Sequence, residues 1–204
     1  RIDVEYSAED INADWDSSEE TLITLNDHSI SVNGSGALAA DKTLTINSAG
    51  TYVVSGTLSA GQILIDTGNE DTVRLVLNGV DLSCADRSPL YCKQAEKLII
   101  TLPEGSVNTI KDTSDYTDLD EEEEADAAIF SKDDLTINGP GTLVVTGNYK
   151  NGISTKDDLM ITDGKITVTA VNDGLSGRDS IAVNGGNITV NADGDGLQAN
   201  NDED

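Results

Sequence analysis

The sequence predicts an all-β protein, a right-handed parallel β-helix (solenoid) with about 22 residues and three strands in each coil. Three observations lead to this prediction. Equivalent residues recur every 22 to 24 positions, apolar residues alternate with polar ones in short stretches, and Asp, Asn and Gly fill the gaps. A fixed period of this length is typical of solenoids, alternation of period two indicates β-strands, and the gap residues favour turns.

Four registers define the repeat in the second half of the chain. They are Ile129, Ile153, Leu175 and Leu197; Leu135, Leu159 and Ile181; Gly141, Gly164 and Gly186; and Lys132, Lys156 and Arg178. In a parallel solenoid each strand pairs with its equivalent in the next coil, so equivalent side chains stack. The first two registers therefore predict two columns of apolar side chains in the core.

Each full repeat contains three short strands. In the repeat that begins near residue 129, the apolar stretches are IFS (129–131), LTI (135–137) and TLVVT (142–146). Looser versions of the same alternation lie upstream, at residues 43–56, 63–66, 73–83, 98–102 and 107–110. Crossover connections between parallel strands are right-handed in almost all proteins, which predicts the hand of the coil.

The whole chain, residues 1–204, is predicted to form a single domain. Residues 1–25 are polar and irregular, and we expect them to form the lead-in and cap that the end of a solenoid needs. Residues 112–128 interrupt the period with the acidic segment DTSDYTDLDEEEEADAA. Acidic runs are usually solvated, so this segment is predicted to be an insertion loop at one corner. The alternative is that the acidic run holds an ion together with Asp112, Asp115, Asp118 and Asp126.

The charge of the chain excludes several classes of partner. With 38 acidic and 12 basic residues the formal charge is −26, and such a polyanion repels nucleic acid and anionic membrane surfaces. The single histidine, His28, argues against a histidine-based triad or zinc site. No apolar run approaches the ~20 residues of a transmembrane helix. The chain begins at Arg1 rather than Met, which is consistent with removal of a leader.

Two cysteines, Cys84 and Cys92, flank the segment ADRSPLY. A disulfide between them would close this loop, and two buried thiols would fit the same spacing. The sequence leaves both alternatives open.

Acidic and amide side chains recur at two corners of the predicted coil. The two columns are Asp133, Asp157 and Asp179, and Asn151, Asp173 and Asp195. Carboxylates one coil apart repel each other by roughly 1 kcal/mol in water and by about 3–4 kcal/mol at an effective dielectric near 20. Solvent, the neighbouring basic residues or a bound divalent cation would offset this repulsion.

Calcium matches these ligand types, because it takes about six to eight oxygens from carboxylates, amide side chains and backbone carbonyls. The candidate metal ligands are Asp133, Asp157, Asp173, Asp179, Asp193, Asp195, Asn201 and Asp202. The alternative interpretation is a solvated acidic corner that keeps the protein soluble.

Several segments together resemble a known family, the carbohydrate-binding β-helix family of clostridial and other secreted bacterial proteins. The matching segments are, in chain order, GTYVVSGTLSAGQILID, VRLVLNGVDL, LIITLPEGSVNTIKD, DLTINGPGTLVVTGNYKNGISTKDDLMITDGKITVTAVNDGLSGRDSI and GDGLQANNDED. The resemblance implies a right-handed parallel β-helix, bound calcium, and a secreted or extracellular protein, free or attached to the cell surface. It also implies binding to plant cell-wall polysaccharide such as cellulose or polygalacturonate. The family in turn resembles in fold the calcium-dependent family-9 pectate lyases.

Three functions are compatible with these features. The first, which we expect, is polysaccharide binding without catalysis, with calcium bridging the acidic protein to an anionic polymer. Its candidate carbohydrate contacts are Tyr116, Tyr149, Lys150, Lys156 and Arg178. The second is a calcium-dependent lyase, whose candidate bases are Lys132, Lys150, Lys156, Lys165 and Arg178, none of which stands apart. The third is a structural cell-surface spacer or adhesin.

Overall fold

The computed structural model describes residues 4–117 and 124–200 and is built almost entirely of β-strands. The helix in these residues is α1 (Ala8–Ile11). No helix of the described residues is long and apolar enough to span a membrane. The strands of the first half are β1 (Glu20–Asn26), β2 (Ser29–Asn33), β3 (Ala37–Ala40), β4 (Thr43–Ile46), β5 (Gly50–Leu58), β6 (Gln62–Asp66), β7 (Thr72–Ser83), β8 (Leu90–Gln94), β9 (Lys97–Thr101) and β10 (Val107–Lys111). The strands of the second half are β11 (Ala127–Ser131), β12 (Asp134–Asn138), β13 (Thr142–Gly147), β14 (Asn151–Thr155), β15 (Asp158–Ile161), β16 (Lys165–Ala170), β17 (Leu175–Gly177), β18 (Ser180–Val183), β19 (Asn187–Ala192) and β20 (Leu197–Ala199).

The described strands form two sheets. The first sheet has twelve strands in the described ranges, in the order β18-β15-β12-β9-β7-β10-β13-β16-β19, with β5 paired to β7, β1 to β5 and β2 to β1. The second has eight, in the order β20-β17-β14-β11-β8-β6-β4-β3. Among these strands the antiparallel pairs are β1 with β2 and β3 with β4, and the other pairs are parallel. The all-β prediction is confirmed.

The three-strand repeat is visible in this topology. Three successive sets, β11–β13, β14–β16 and β17–β19, each contribute one strand to the second sheet and two to the first. Each strand then pairs in parallel with its equivalent in the next set. This pairing is consistent with a β-helix-like solenoid.

The predicted core columns are present. Ile129 pairs with Ile153 and Ile153 with Leu175, and all three are fully buried. Leu135 and Leu159 pair in the second column and are also fully buried. Alternate residues of each strand point into the interior, so the period-two pattern places these side chains in one continuous core.

The last repeat departs from the prediction of a buried column. Leu197 pairs with Leu175, but its side chain is 54% exposed, so its predicted place in the core is wrong. Ile181 is only partly buried and packs against the edge of the core. Leu197 lies in β20 and Ile181 in β18, and each of these strands is at the end of its sheet among the described residues. No further described strand covers either side chain.

Strand β7 joins the two halves of the first sheet. Its first part pairs with β9 and its end pairs with β10. Between them lies Gly79, whose φ of +83° suits a residue without a Cβ. The buried Asn108 stabilises the backbone of β7 here, because its Oδ1 accepts hydrogen bonds from the N–H groups of Gly79 and Val80, both at 2.9 Å.

Residues 1–25, predicted to be a lead-in and cap, divide between two places. Strand β1 begins at Glu20 and pairs with β5 in the first sheet. Helix α1 instead lies on the outer face of that sheet, where the buried Asp10 accepts hydrogen bonds from Lys97 Nζ (2.9 Å) and Thr136 Oγ1 (2.7 Å). Burial acts to raise the pKa of Asp10, but hydrogen bonds led by that of Thr136 outweigh it and hold this pKa below its usual value.

The predicted insertion loop, residues 112–128, is described at both of its ends. Asp112 is buried, and its carboxylate accepts hydrogen bonds from Tyr116 Oη (2.6 Å) and from the N–H of Asn148. This contact anchors the start of the loop to the turn after β13. The structure differs from the prediction at the other end, because β11 begins at Ala127 and takes in the last two residues of the segment.

Cys84 and Cys92 are two free, buried thiols, so the second of the two alternatives is the one found. Burial raises the pKa of Cys92 to about 12 and also raises the pKa of Cys84. Both thiols therefore stay protonated near neutral pH. They act as small apolar side chains rather than as nucleophiles.

Candidate functional site

A groove of about 430 Å³ crosses the outer face of the second sheet. Its lining comes from strands β14, β17 and β20, from the turns at both ends of these strands, and from the end of the insertion loop. Every lining side chain is polar or charged. The groove therefore differs from the mostly apolar pockets that hold drug-sized ligands.

The floor of the groove carries one polar side chain from each repeat. Ser154 pairs with Ser176 and Ser176 with Gln198 in consecutive parallel strands. These side chains point outward because the preceding residue of each strand belongs to the predicted core column. In the previous repeat the equivalent position is Phe130, which is buried in a cluster with Tyr91 and two alanines at the end of the insertion loop.

Asparagine and aspartate side chains form the wall at the start of these strands. Oδ1 of Asn151 accepts a hydrogen bond from the N–H of Asp173 (3.1 Å), and Oδ1 of Asp173 accepts one from the N–H of Asp195 (2.8 Å). Asn172 donates from Nδ2 to the side chains of Asn151 (2.9 Å) and Asp173 (3.2 Å). The predicted column is therefore present, and protein N–H groups supply the donors that stabilise it.

Basic side chains form the opposite wall. Lys156 and Arg178 occupy equivalent positions after β14 and β17. Nζ of Lys156 lies 3.2 Å from Oε2 of Glu124, and this contact lowers the pKa of Glu124. Arg178 is exposed, and its side chain makes no hydrogen bond or ion pair with any described residue. Its guanidinium is therefore available for a carboxylate, which it can bind through two parallel hydrogen bonds.

Asp126 lies at the end of the groove nearest the insertion loop. Its Oδ1 is buried and has no hydrogen-bond partner among the described residues. Burial raises the pKa of Asp126, against the opposing effects of Lys150 and Asn151. A buried carboxylate oxygen without a donor is costly, and protonation reduces that cost.

The other predicted acidic column, Asp133, Asp157 and Asp179, lies outside the groove lining, at the corner between the second sheet and the first. Oδ2 of Asp133 accepts a hydrogen bond from the N–H of Ala95 (3.0 Å). Burial, the charge of Asp134 and the neighbouring Asp179 raise the pKa of Asp157 to about 6. Carboxylates in the turns of adjacent repeats disfavour each other's ionisation, which agrees with the repulsion predicted for this column.

Six of the eight predicted calcium ligands lie within the described residues. Within residues 4–117 and 124–200 no group of three or more His, Cys, Asp and Glu side chains is placed to hold a metal ion. Asp133 and Asp173 each accept a hydrogen bond from a backbone N–H group. Asp193 and Asp195 are exposed. The predicted ligands Asn201 and Asp202 lie outside the described residues.

The five predicted carbohydrate contacts fall into two groups. Lys156 and Arg178 line the groove, and the other three do not. Tyr116 is buried and stacks on Tyr149, with ring centroids 4.0 Å apart. Nζ of Lys150 lies 5.2 Å from the centroid of the Tyr149 ring. Both tyrosine rings are therefore occupied by contacts within the protein.

Sequence reasoning misses the floor of the groove and one of its ends. Ser154, Ser176 and Gln198 each follow a residue of the first apolar register. A polar side chain at the same outward position in three repeats is the signal that could have identified the floor. Asp126 belongs to an acidic segment whose composition predicts a solvated loop or an ion site, and nothing in that segment places the residue at the groove.

Known proteins are similar to this chain over most of its length. Residues 40–204 match the family model described as carbohydrate-binding domain-containing protein. A relative from Acetivibrio thermocellus with the same description is 40% identical over 150 residues, which are 73% of this chain and 52% of the relative. The chain thus spans about half the length of that relative.

A solved structure is also similar. It is described as the structure of the polysaccharide lyase-like protein from C. thermocellum, gadolinium derivative. The two chains are 38% identical and superimpose with a TM-score of 0.88 over 91% of this chain and 75% of that one.

Proposed function

Because this chain belongs to the carbohydrate-binding domain-containing protein family, we propose that its groove binds polysaccharide without cleaving it. The observation that carries the proposal is the lining of the groove, in which hydroxyl, amide, carboxylate and cationic groups face one channel. Such groups supply the donors and acceptors that a hydroxyl-rich ligand needs. A channel along the outer face of a sheet also accepts a polymer, which passes through it rather than ending inside it.

The proposed ligand is an acidic plant cell-wall polysaccharide such as polygalacturonate. The protein carries a formal charge of −26, so a polyanion approaches it against a repulsive field. Lys156 and Arg178 place two cations together in the groove, where carboxylates of the ligand can pair with them. Cellulose is the less favoured ligand, since neutral sugar faces stack on exposed aromatic rings and the Tyr116–Tyr149 pair is already packed together.

Retention on insoluble polygalacturonate tests this proposal. The variant is Lys156→Ala with Arg178→Ala, and the matched control is Lys111→Ala with Lys165→Ala, which removes the same charge from exposed positions in the first sheet. Hydrogen bonds to charged groups contribute about 1.5–3 kcal/mol each, so we expect the groove variant, which removes two such groups, to lose about a hundredfold or more in affinity. Equal losses in the two variants would show that total charge, rather than the groove, determines binding.

A second candidate function is β-elimination from a uronate, which the description of the structural neighbour as polysaccharide lyase-like favours. A lyase needs a base within reach of the proton that it removes. Lys156 lines the groove but already contacts Glu124. The test is ultraviolet absorbance of the unsaturated product after incubation with polygalacturonate and calcium. Product that disappears in Lys156→Ala would establish catalysis, and absence of product supports binding alone.

Calcium dependence is a separate prediction. It rests on the acidic and amide side chains of the two columns, because calcium takes about six to eight oxygens from carboxylates, amide side chains and backbone carbonyls. Titration calorimetry of the protein with calcium is the test, with Asp157→Asn together with Asp179→Asn as the variant. Heat that is lost in this variant would place an ion at the first acidic column. No heat in either protein would contradict a calcium cofactor.

The remaining predictions are of location and of coil geometry. We propose an extracellular location, free or attached to the cell surface, because the proposed ligand is a cell-wall polymer. Failure to bind any polysaccharide would instead favour the spacer or adhesin. We also propose that the repeats close into a right-handed parallel β-helix, since parallel crossovers have that hand in about 98% of cases. An experimental structure tests the hand directly.

A further inference from the structure

We infer that the groove is a row of equivalent subsites, one for each repeat, which hold an extended polysaccharide across the strands with one sugar residue on each. The inference rests on the proposed function, because it specifies how that groove engages its ligand. It specifies how many subsites the groove has, the direction in which the ligand lies, and how the affinity depends on the length of the ligand.

The first two subsites each combine three kinds of group, an acceptor at the start of the strand, a short polar side chain on the floor, and a donor after the end of the strand, and the third has a floor side chain and a donor. The sets are Asn151, Ser154 and Lys156; Asp173, Ser176 and Arg178; and, as far as the lining extends, Gln198 and Asn200. Because β14, β17 and β20 pair in register, each group lies beside its equivalent in the next repeat.

The floor hydroxyls are available to a ligand. Ser154 is only 6% exposed, lines the groove, and makes no side-chain hydrogen bond to any described residue. Ser176, its equivalent in the next repeat, is half-buried and likewise has no described partner. Both hydroxyls open onto the groove, where solvent or a ligand can serve as their hydrogen-bond partner.

The spacing of the strands matches that of a polymer. Adjacent parallel strands lie about 4.8 Å apart, which is comparable to the length of one pyranose residue in an extended chain. Successive sugars of a chain lying across the strands therefore meet the same set of side chains at each step. The row ends at Phe130, which occupies the next floor position and is buried under the end of the insertion loop. The described groove thus accommodates about three sugars.

Titration calorimetry with oligogalacturonides of increasing length, from the monomer upward, tests the inference on the full chain. We expect each of the first three sugars to strengthen binding several-fold, and longer oligomers to gain little more. Ser154→Ala and Ser176→Ala should weaken binding of the trimer by similar factors, because they remove equivalent contacts. Ser31→Ala is the matched control at an exposed position in β2 and should leave the affinity unchanged.

The outcomes distinguish this inference from the proposed function. Full affinity for the monomer would indicate a single pocket and overturn the row of subsites, while leaving polysaccharide binding intact. Loss in only one of the two serine variants would also overturn it. Absence of binding at every length would overturn both. Urea unfolding of each variant verifies that the fold is retained, and neither serine hydroxyl has a described partner whose loss would destabilise the protein.

Discussion

Replacing Leu159 with alanine measures how tightly the repeats pack on one another. Leu159 lies in β15, fully buried, with Leu135 on one side and Ile181 on the other. The substitution removes three carbon atoms, which at about 0.8 kcal/mol for each buried CH₂ gives a loss of about 2.4 kcal/mol. Strands paired on both sides restrict collapse of the cavity, so we expect a total loss of about 3–4 kcal/mol, inside the ~2–5 kcal/mol typical of such changes.

Urea unfolding followed by far-ultraviolet circular dichroism measures this loss. The free energy of unfolding comes from the midpoint and the slope m, and the two proteins must share the same m for the comparison to hold. The matched control is Leu197→Ala, the same change at a side chain that is 54% exposed. We expect the control to lose less than about 1 kcal/mol, since most of its surface is already in contact with water.

Two results would refute the reasoning. A loss under about 1 kcal/mol for Leu159→Ala would mean that this side chain does not fill the interior of the repeat. Equal losses in Leu159→Ala and Leu197→Ala would mean that the interior extends past β20.

Three other perturbations test the charges, the thiols and the metal. Asp126→Asn should raise the urea midpoint at neutral pH and leave it unchanged in acid. Folding raises the pKa of Asp126 above its ordinary value of 3.8, so the stability that this carboxyl contributes at low pH is lost as the pH rises through the folded pKa. An effect of the substitution that does not depend on pH would contradict this. Cys84 and Cys92 should react with a thiol reagent only after unfolding, and a reductant should not shift the midpoint; fast reaction of the native protein would contradict their burial. If calcium binds only the folded state, a concentration 100 times its dissociation constant should add about 2.7 kcal/mol, whereas identical unfolding curves in calcium and chelator would argue against such a site.

The core could be predicted from the sequence because two independent periods coincide there. A residue such as Ile153 obeys both the alternation of a strand and the spacing of the repeat, so its burial and its neighbours follow together. Leu197 obeys the same two periods and is nevertheless exposed. Burial requires a covering strand as well as a pattern, and the pattern contains no information about what covers the last described repeat.

The candidate site was harder to predict, because residue type does not specify a hydrogen-bond partner. The repeat places Asp173 in an acidic column, but it does not predict that its Oδ1 accepts a hydrogen bond from the N–H of Asp195. Long-range contacts are harder still. Asp10 and Thr136 are 126 positions apart and share no repeat, yet they form a buried hydrogen bond. No local pattern predicts such a pair, which forms only when the strands are assembled.

The row of polar side chains across β14, β17 and β20 has a consequence for how such proteins change over evolutionary time. In most binding sites a change of affinity requires substitutions that alter the chemistry of individual contacts. Here duplication of one 22-residue unit, such as 153–174, would lengthen the surface by one identical step and leave every existing contact in place. Preference for longer or shorter polymers could then diverge among relatives through the number of copies alone, while the sequence within each unit stays fixed by the packing of the interior.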